Sequence, residues 1–589
     1  MEENHYDGLL KDHKLPFKVM IKRTLDYVLP EWKSFVISLL FICCNVAVDI
    51  IGPLLISKLT DNLKDNANIS INLILFVAIG YLILCIIGQG IRYLESMILT
   101  KAGQRIVYKL RVEVFSHVES MSQNQFNDMP VGSLVTRVAN YTSSMSNFYT
   151  NVLVSIIRNV LTVVAVYTTM IVISPMLSLF LTGFVIVVFF TSYFFSKYVK
   201  GVFKESRGLL SSLNTFLNES LQGMKIIQMF NQEKRSDETF IQKNEKYRKS
   251  QYKITVAFAF YRPFISLLYV LAIVVTYYAG VELGLSSGEI VAFYLLISRF
   301  FNPIQELADQ LNNIQRTLTD SGRLFNLLDI KPEVLDKEGA LEIDHFEGKI
   351  EFRHVWFAYE GENWILKDVS FVIEPKQTVA FVGATGAGKT TILGLVVRNF
   401  ENQKGQILID DIDIKDIKIQ SLRRAIGQML QDVFLFSGTI KENITLFDDK
   451  YSDEEVYQAC DYVHLSPLIN SLPKKLDEPV IEKGDNFSTG QRQLLSFART
   501  VLHKPQVMIL DEATANIDTE TELDIQHSLE AMRNIGTMLV VAHRLSTIQH
   551  ADNIIVLSHG EIIEMGNHQQ LLKNKGHYYK LYTLQFEGK

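Results

Sequence analysis

Between positions 383 and 390 the chain reads Gly383, Ala384, Thr385, Gly386, Ala387, Gly388, Lys389, Thr390, a complete G-x-x-x-x-G-K-[ST] phosphate loop. The apolar, strand-like stretch 379–382 precedes it, and a helical pattern from Ile392 through Val397 follows. That strand–loop–helix setting is what such a loop needs in order to present its backbone N–H groups. The glycines let those amides close around phosphate oxygens, Lys389 adds positive charge, and the Thr390 hydroxyl can ligate Mg²⁺. Further along, the apolar run 507–510 ends in Asp511 and Glu512. Two carboxylates at the end of a buried strand suit metal and water chemistry. Asp511 is expected to hold Mg²⁺, directly or through water, and Glu512 to polarise the water that attacks in phosphoryl transfer. Acids after an apolar run also occur at solvated strand ends, and it is the phosphate loop on the same chain that gives this pair its meaning.

The elements that must carry these residues divide the chain in two. At 589 residues it exceeds what one hydrophobic core organises. Through about residue 315 long apolar stretches dominate, and the remainder has the mixed charge and turn content of a water-soluble domain. Six stretches are long and apolar enough to cross a bilayer core of about 30 Å: 34–59, 71–98, 151–173, 176–196, 255–279 and 290–313. They form three hairpins. The short links between hairpin partners contain one basic residue, Lys64, whereas the long links carry many, among them Lys101, Arg105, Lys109, Arg111, Lys197, Lys200, Lys243 and Arg248. By the positive-inside bias the long links, both termini and the second domain face the cytoplasm. Apolar periodicity running on through 110–118 and 226–230 predicts that the helices extend beyond the membrane as arms. The expected fold is an all-α polytopic membrane domain of six helices at 34–325, behind an interfacial segment 1–33. A linker 326–345 then leads to an α/β P-loop domain, 346–589. In the N-terminal segment Phe17, Met20, Ile21, Leu25 and Val28 oppose Lys14, Lys18, Lys22 and Arg23, the pattern of a helix lying on the membrane surface, with an ordinary connector as the alternative. The polar start predicts no cleaved signal. A net charge of −6 gives no footprint for nucleic acid. Cys43, Cys44, Cys85 and Cys460 have no metal or disulfide spacing and read as small apolar fillers.

Just upstream of the acid pair the chain reads Asn486, Phe487, Ser488, Thr489, Gly490, Gln491. Together with Tyr359, Gln431, Asp518 and His543, in this order, the set resembles the ABC ATPase family, and the resemblance covers nearly the whole chain. It implies ATP and Mg²⁺ as ligands. By it Tyr359 stacks on adenine, while Gly383, Thr385, Gly386, Gly388, Lys389, Thr390 and Thr391 hold the phosphates. Gln431 senses Mg²⁺ beside Thr390 and Asp511, His543 holds the γ-phosphate, and Asp518 communicates between sites. Ser488, Gly490 and Gln491 belong to the signature. Taken singly, these are also a surface tyrosine, a solvated glutamine, a capping aspartate and a satisfied histidine. The membrane half is similar to the exporter branch: Phe126 through Gly132, with Leu134 and Arg137, looks like its first cytoplasmic arm, and Asn218-Glu219 through Ile227 like its second. Coupling helices are expected near 125–135 and 211–218.

In that family ATP lies between the phosphate loop of one ATPase domain and the signature of its partner, so one chain cannot complete a site. The family signature is L-S-G-G-Q; this chain has Phe487 for the first residue and Thr489 for the first glycine. Threonine resists the close approach and unusual dihedrals that glycine allows, so the partner's ATP site is expected to be impaired. The pattern is similar to the chain bearing the catalytic glutamate in heterodimeric bacterial multidrug exporters. It implies a second, different half-transporter chain with an intact signature, in a bacterial plasma membrane. A homodimer with two slower sites is the alternative.

Asp49, inside the first span, is the candidate contact for a cationic substrate; structural pairing with Arg158 or Arg299 is the competing reading. Aromatics in later spans, among them Phe189, Tyr193, Tyr261, Tyr269 and Phe301, would suit amphipathic small molecules, although aromatics also pack helices and face lipid. The reading is ATP-driven export of amphipathic compounds by alternating access. A lipid or peptide exporter and an ATP-gated channel that does not pump are the alternatives.

Overall fold

The computed structural model describes residues 16–65, 71–127, 129–430, 433–511, 519–541 and 548–586. The chain divides into two compact units, one of Met1–His117 with Pro130–Ile330 and one of Val118–Met129 with Lys331–Lys589.

The first unit is made of helices. Trp32–Asp65, Ile71–Glu119, a run over 131–173, Pro175–Gln222, Glu233–Glu282 and Ser287–Leu328 follow the apolar stretches. A helix of 50 residues such as Glu233–Glu282 rises about 75 Å at 1.5 Å per residue, well over twice a bilayer core of about 30 Å. The spans therefore continue outside the membrane, as the periodicity implied. Among the described residues five helices are long and apolar enough to cross a membrane. The sixth expected span lies in Ser287–Leu328, where Arg299, Asn302, Gln305 and Glu306 dilute the apolar run. That helix faces protein: Phe293, Leu296, Ile297, Phe300 and Phe301 are buried in one core with Val166, Leu181, Val188, Ile265 and Ala272 from the three preceding helices. A residue shielded from lipid by neighbouring helices need not be apolar all round.

The short links are built by caps. Ser174 accepts a hydrogen bond from the Leu177 amide and Pro175 opens the next helix, its missing N–H one of the unpaired donors of a first turn. Ser286 and Glu289 form a reciprocal capping box. Asp61, near the end of Trp32–Asp65, accepts from Ser286 Oγ at 2.9 Å and from the Gly288 amide at 2.7 Å, a carboxylate on the positive end of a helix. A Cβ at Gly288 would sit 2.1 Å from the Ser57 carbonyl oxygen, so only glycine allows this approach.

Helix Phe17–Asp26 forms over the amphipathic stretch; buried Thr24 offers its carbonyl to Tyr149 Oη, and Arg23 pairs with Asp329 at 2.8 Å. Two expectations are corrected here. The second coupling element does not fall at 211–218, which lies inside Pro175–Gln222; the chain breaks at Gly223 and forms the short helix Met224–Met229. Its Ile226, Met229 and neighbouring Phe230 are exposed. The first arm does carry a short helix, Gln123–Asn127, within the second unit. Cys43, Cys44 and Cys85 are exposed rather than core fillers, and Cys460 is buried.

The second unit holds a six-stranded sheet with strands, in spatial order, Glu561–Gly566, Asn553–Ser558, Thr378–Val382, Thr537–Val541, Val507–Asp511 and Ile426–Met429. All pairs are parallel but the first. The central strands are buried along their whole length, as parallel strands covered on both faces must be. A four-stranded antiparallel sheet contributes Ile350–Ala358, Trp364–Ile373 and Lys404–Ile409, and its Phe352, Leu366 and Phe371 share one core with Phe381 and Ile392. A second core, around Leu435, Ile444, Val456, Cys460, Leu494 and Phe497, supports the helical region that contains helix Thr489–Leu502. Burial pushes the Cys460 thiol up to about 12, so it stays a neutral apolar filler.

Candidate functional site

The phosphate loop sits where the sheet brings it to the carboxyl ends of parallel strands, the place where such folds bind ligands. Strand Thr378–Val382 feeds the loop and helix Lys389–Val396 leaves it. Gly386 and Gly388 have φ of +82° and +99°, left-handed values that disfavour any side chain. A Cβ at Gly383 would lie 2.3 Å from the Leu557 carbonyl oxygen, and one at Gly388 would lie 2.6 Å from Leu366 Cδ2. The loop is thus locked by backbone geometry and by packing. Lys389 is buried at its base and its Nζ donates to the carbonyls of Gly383 at 2.8 Å and Ala384 at 3.1 Å. Thr385 and Thr390 are exposed. Amides at a helix start, a cationic Nζ and an exposed hydroxyl fit a polyphosphate with Mg²⁺.

Asp511 is buried at the end of its strand, two strands from the one that feeds the loop: it pairs in register with Val541, which pairs with Phe381. Glu512, which follows it, lies outside the described residues, as do Gln431, Asp518 and His543. Tyr359 is 42% exposed. Its ring stands edge-on to Phe357 and Phe400 with centroids at 4.9 and 5.2 Å, and its hydroxyl is 3.0 Å from Thr391 Oγ1. Tyr359 is thereby tied to the helix that carries Lys389. Phe400 and the Thr391–Tyr359 contact had no sequence signal, since both depend on how strand and helix meet.

The signature residues lie on the second core. Ser488 caps helix Thr489–Leu502 and forms a reciprocal box with Gln491, while Gly490 is buried. Thr489 is the first residue of that helix, and no left-handed backbone is needed there. The dihedral cost expected of threonine therefore does not arise; what it adds is an exposed, β-branched side chain whose Oγ1 accepts from Arg492 at 3.3 Å. Asp49 is paired with Arg299 at 2.7 Å, one of the two partners expected for it, and also with Arg92 at 3.1 Å, while Arg158 pairs with Glu95 instead.

Residues 35–304 match the family description "ABC transporter transmembrane region", and residues 366–515 match "ABC transporter". Over 96% of its length the chain is 37% identical to exp8 of Streptococcus pneumoniae, covering 97% of a protein named for ABC transporter ATP binding. It is 32% identical to the multidrug resistance-like ATP-binding protein MdlB of Buchnera aphidicola, over 98% of this chain and 99% of that one. It is 31% identical to an ATP-dependent lipid A-core flippase of Syntrophus aciditrophicus, over 96% and 95%. A solved bacterial Atm1-family ABC exporter with ATP bound superposes with a TM-score of 0.79 at 26% identity, covering 94% of this chain and 98% of that one. With a helical membrane region and a phosphate-loop ATPase domain joined in one polypeptide, this chain belongs to the ABC transporter family and has the architecture of its exporters.

Proposed function

We propose that this chain is one half of an ATP-driven exporter of amphipathic compounds, multiple drugs among them, paired with a second, different half-transporter chain whose signature is intact. The observation that carries the reading is the locked phosphate cradle, with buried Asp511 at a strand end two strands away in the same sheet, in a chain whose described residues include five helices of membrane-crossing length. The proposed domain limits are 34–325 for the membrane domain and 346–589 for the ATPase domain, with residues 1–33 and 326–345 flanking them. Both termini and the ATPase domain face the cytoplasm of a bacterial cell in this reading.

Each group has a proposed task. The amides of the loop, Lys389, Thr390 and Thr391 hold the phosphates, Tyr359 offers its exposed ring to the base, and Asp511, Thr390 and Gln431 hold Mg²⁺. Bound Mg–ATP supplies a γ-phosphoryl group that is transferred to water. Glu512 takes the proton of that water, His543 orients the terminal phosphate, and Asp518 faces the opposite site. Ser488, Gly490 and Gln491 would close on the nucleotide held by the partner. There the bulk of Thr489 would oppose close approach of the helix to phosphate, and the pair would have one hydrolytic and one degenerate site.

Transport of a fluorescent amphiphile into sealed inside-out vesicles against an opposing gradient tests export; ATP binding without net movement would favour a channel. The intact masses of the subunits in a complex purified gently from native membrane test the pairing, and copies of this chain alone would overturn it. Similarity to a lipid A-core flippase favours a lipid exporter as the second reading, distinguished by whether labelled lipid or drug is moved.

A further inference from the structure

We propose that the membrane unit contains an anion-binding subsite, centred on Arg92 and Arg299, that takes the phosphate, sulfate or carboxylate head of an amphipathic substrate. This deepens the export reading and rests on it. A cavity of about 210 Å³ is lined by Asn45 and Asp49 from helix Trp32–Asp65, by Tyr81, Gln89 and Arg92 from Ile71–Glu119, and by Arg299 from Ser287–Leu328. Tyr81, Leu84, Cys85, Gly88, Gln89 and Arg92 recur at helical spacing and so form one continuous face of their helix. That face is drawn close to its neighbour by glycines: a Cβ at Gly52 would lie 2.8 Å from the Tyr81 ring, and one at Gly88 would lie 3.1 Å from Val48.

The charges in the cavity do not cancel. Asp49 is the one acid among the lining residues and it serves two arginines, accepting from Arg299 at 2.7 Å and Arg92 at 3.1 Å. Arg299 also donates to the Asp49 carbonyl. Each guanidinium carries five N–H donors, so a single carboxylate leaves several unspent, above all on Arg92, whose side chain is 47% exposed. Two further acids lie on the same helices but do not line the cavity: Glu95 pairs with Arg158 through Oε1 while its Oε2 is buried without a hydrogen-bond partner, and Glu306 accepts from the neutral amide of Asn159 at 3.1 Å. An excess positive charge at this depth is expensive and marks a functional site. Asp49 is therefore the residue that orients two guanidinium groups, and a cation would meet their repulsion. A planar fork of donors suits a phosphate, sulfate or carboxylate oxygen pair.

The test uses the native complex in nanodiscs and three probes with one tail: dodecyl phosphate, dodecyltrimethylammonium and dodecyl maltoside. The readout is the concentration that half-maximally stimulates ATP hydrolysis. Dodecyl phosphate is expected to act at the lowest concentration. Arg92→Gln should raise its half-maximal concentration about tenfold relative to the cation in the same variant. Asp49→Asn should lower it, because it frees donors without removing an arginine; a merely structural Asp49–Arg92 pair would make both variants fail alike. A wild-type preference for the cation, or a phosphate-to-cation ratio unmoved by both substitutions, overturns the subsite while leaving export standing. No stimulation by any of the three overturns the export reading with it.

Discussion

Replacing Gly388 by alanine should cripple nucleotide binding, and the size of the loss follows from two terms. The first is backbone: φ of +99° with ψ of 9° is left-handed, which costs an L side chain about 1–2 kcal/mol. The second is packing: the new Cβ would lie 2.6 Å from Leu366 Cδ2, and Leu366 is fully buried and cannot swing into water. Overpacking a filled core costs about 1–3 kcal/mol. Together they come to about 2–5 kcal/mol against the present loop, and the lower end alone weakens binding roughly 25-fold at 1.4 kcal/mol per decade. Equilibrium titration of the purified complex with a fluorescent ATP analogue reads the affinity, and thermal melting without nucleotide reads any part of the cost taken up by the fold. Affinity within twofold of wild type together with an unchanged melting curve would refute the reasoning, since neither the dihedral nor the contact would then constrain the loop.

Glu512→Gln should reduce steady-state ATP hydrolysis by about 10²–10⁴-fold while ATP still binds, and retained turnover would remove the general-base assignment. Arg398, 1% exposed, donates to the carbonyls of Ile417 and Leu335 and to Glu401. Arg398→Met should lower the stability of the ATPase domain by about 2–4 kcal/mol, read by thermal melting. His503 is held below its ordinary imidazole range by burial, its Nε2 is buried without a partner and its Nδ1 meets Tyr451 Oη. The unfolded chain therefore binds this proton first. His503 contributes stability above about pH 6.5 that is lost as pH falls toward its folded value, and His503→Gln should flatten that slope in melting curves.

The phosphate loop was legible because its chemistry is local: eight consecutive residues between a strand and a helix specify both conformation and ligand. Asp511 was legible for the same reason, as the last residue of a buried strand. What depends on contact between distant segments was not. Arg299 was one of the two partners expected for Asp49, whereas Arg92 was not, because which span arginine reaches that carboxylate depends on how the helices pack. Helix Ser287–Leu328 was expected to span like the rest, yet its burial among neighbours lets it carry Arg299 and Glu306. The second coupling element was misplaced because the sequence 211–222 is as helical as its surroundings, and only Gly223 interrupts it. At Thr489 the sequence suggested backbone strain, whereas an ordinary first helical turn leaves side-chain bulk as the cost.

The capped junction at Ser174 has a consequence for how the protein enters its membrane. Helix Leu153–Ile173 and helix Pro175–Gln222 are separated by that one residue, so no polar loop of any length has to be carried across the hydrocarbon when they insert. The Ser174 side chain already satisfies the Leu177 amide, and Pro175 has no amide hydrogen to bury. The turn can therefore cross as a finished object, which suits the two spans to entering as a single hairpin. A charged residue placed at 174 or 175 should then delay insertion of both spans together, not of one alone.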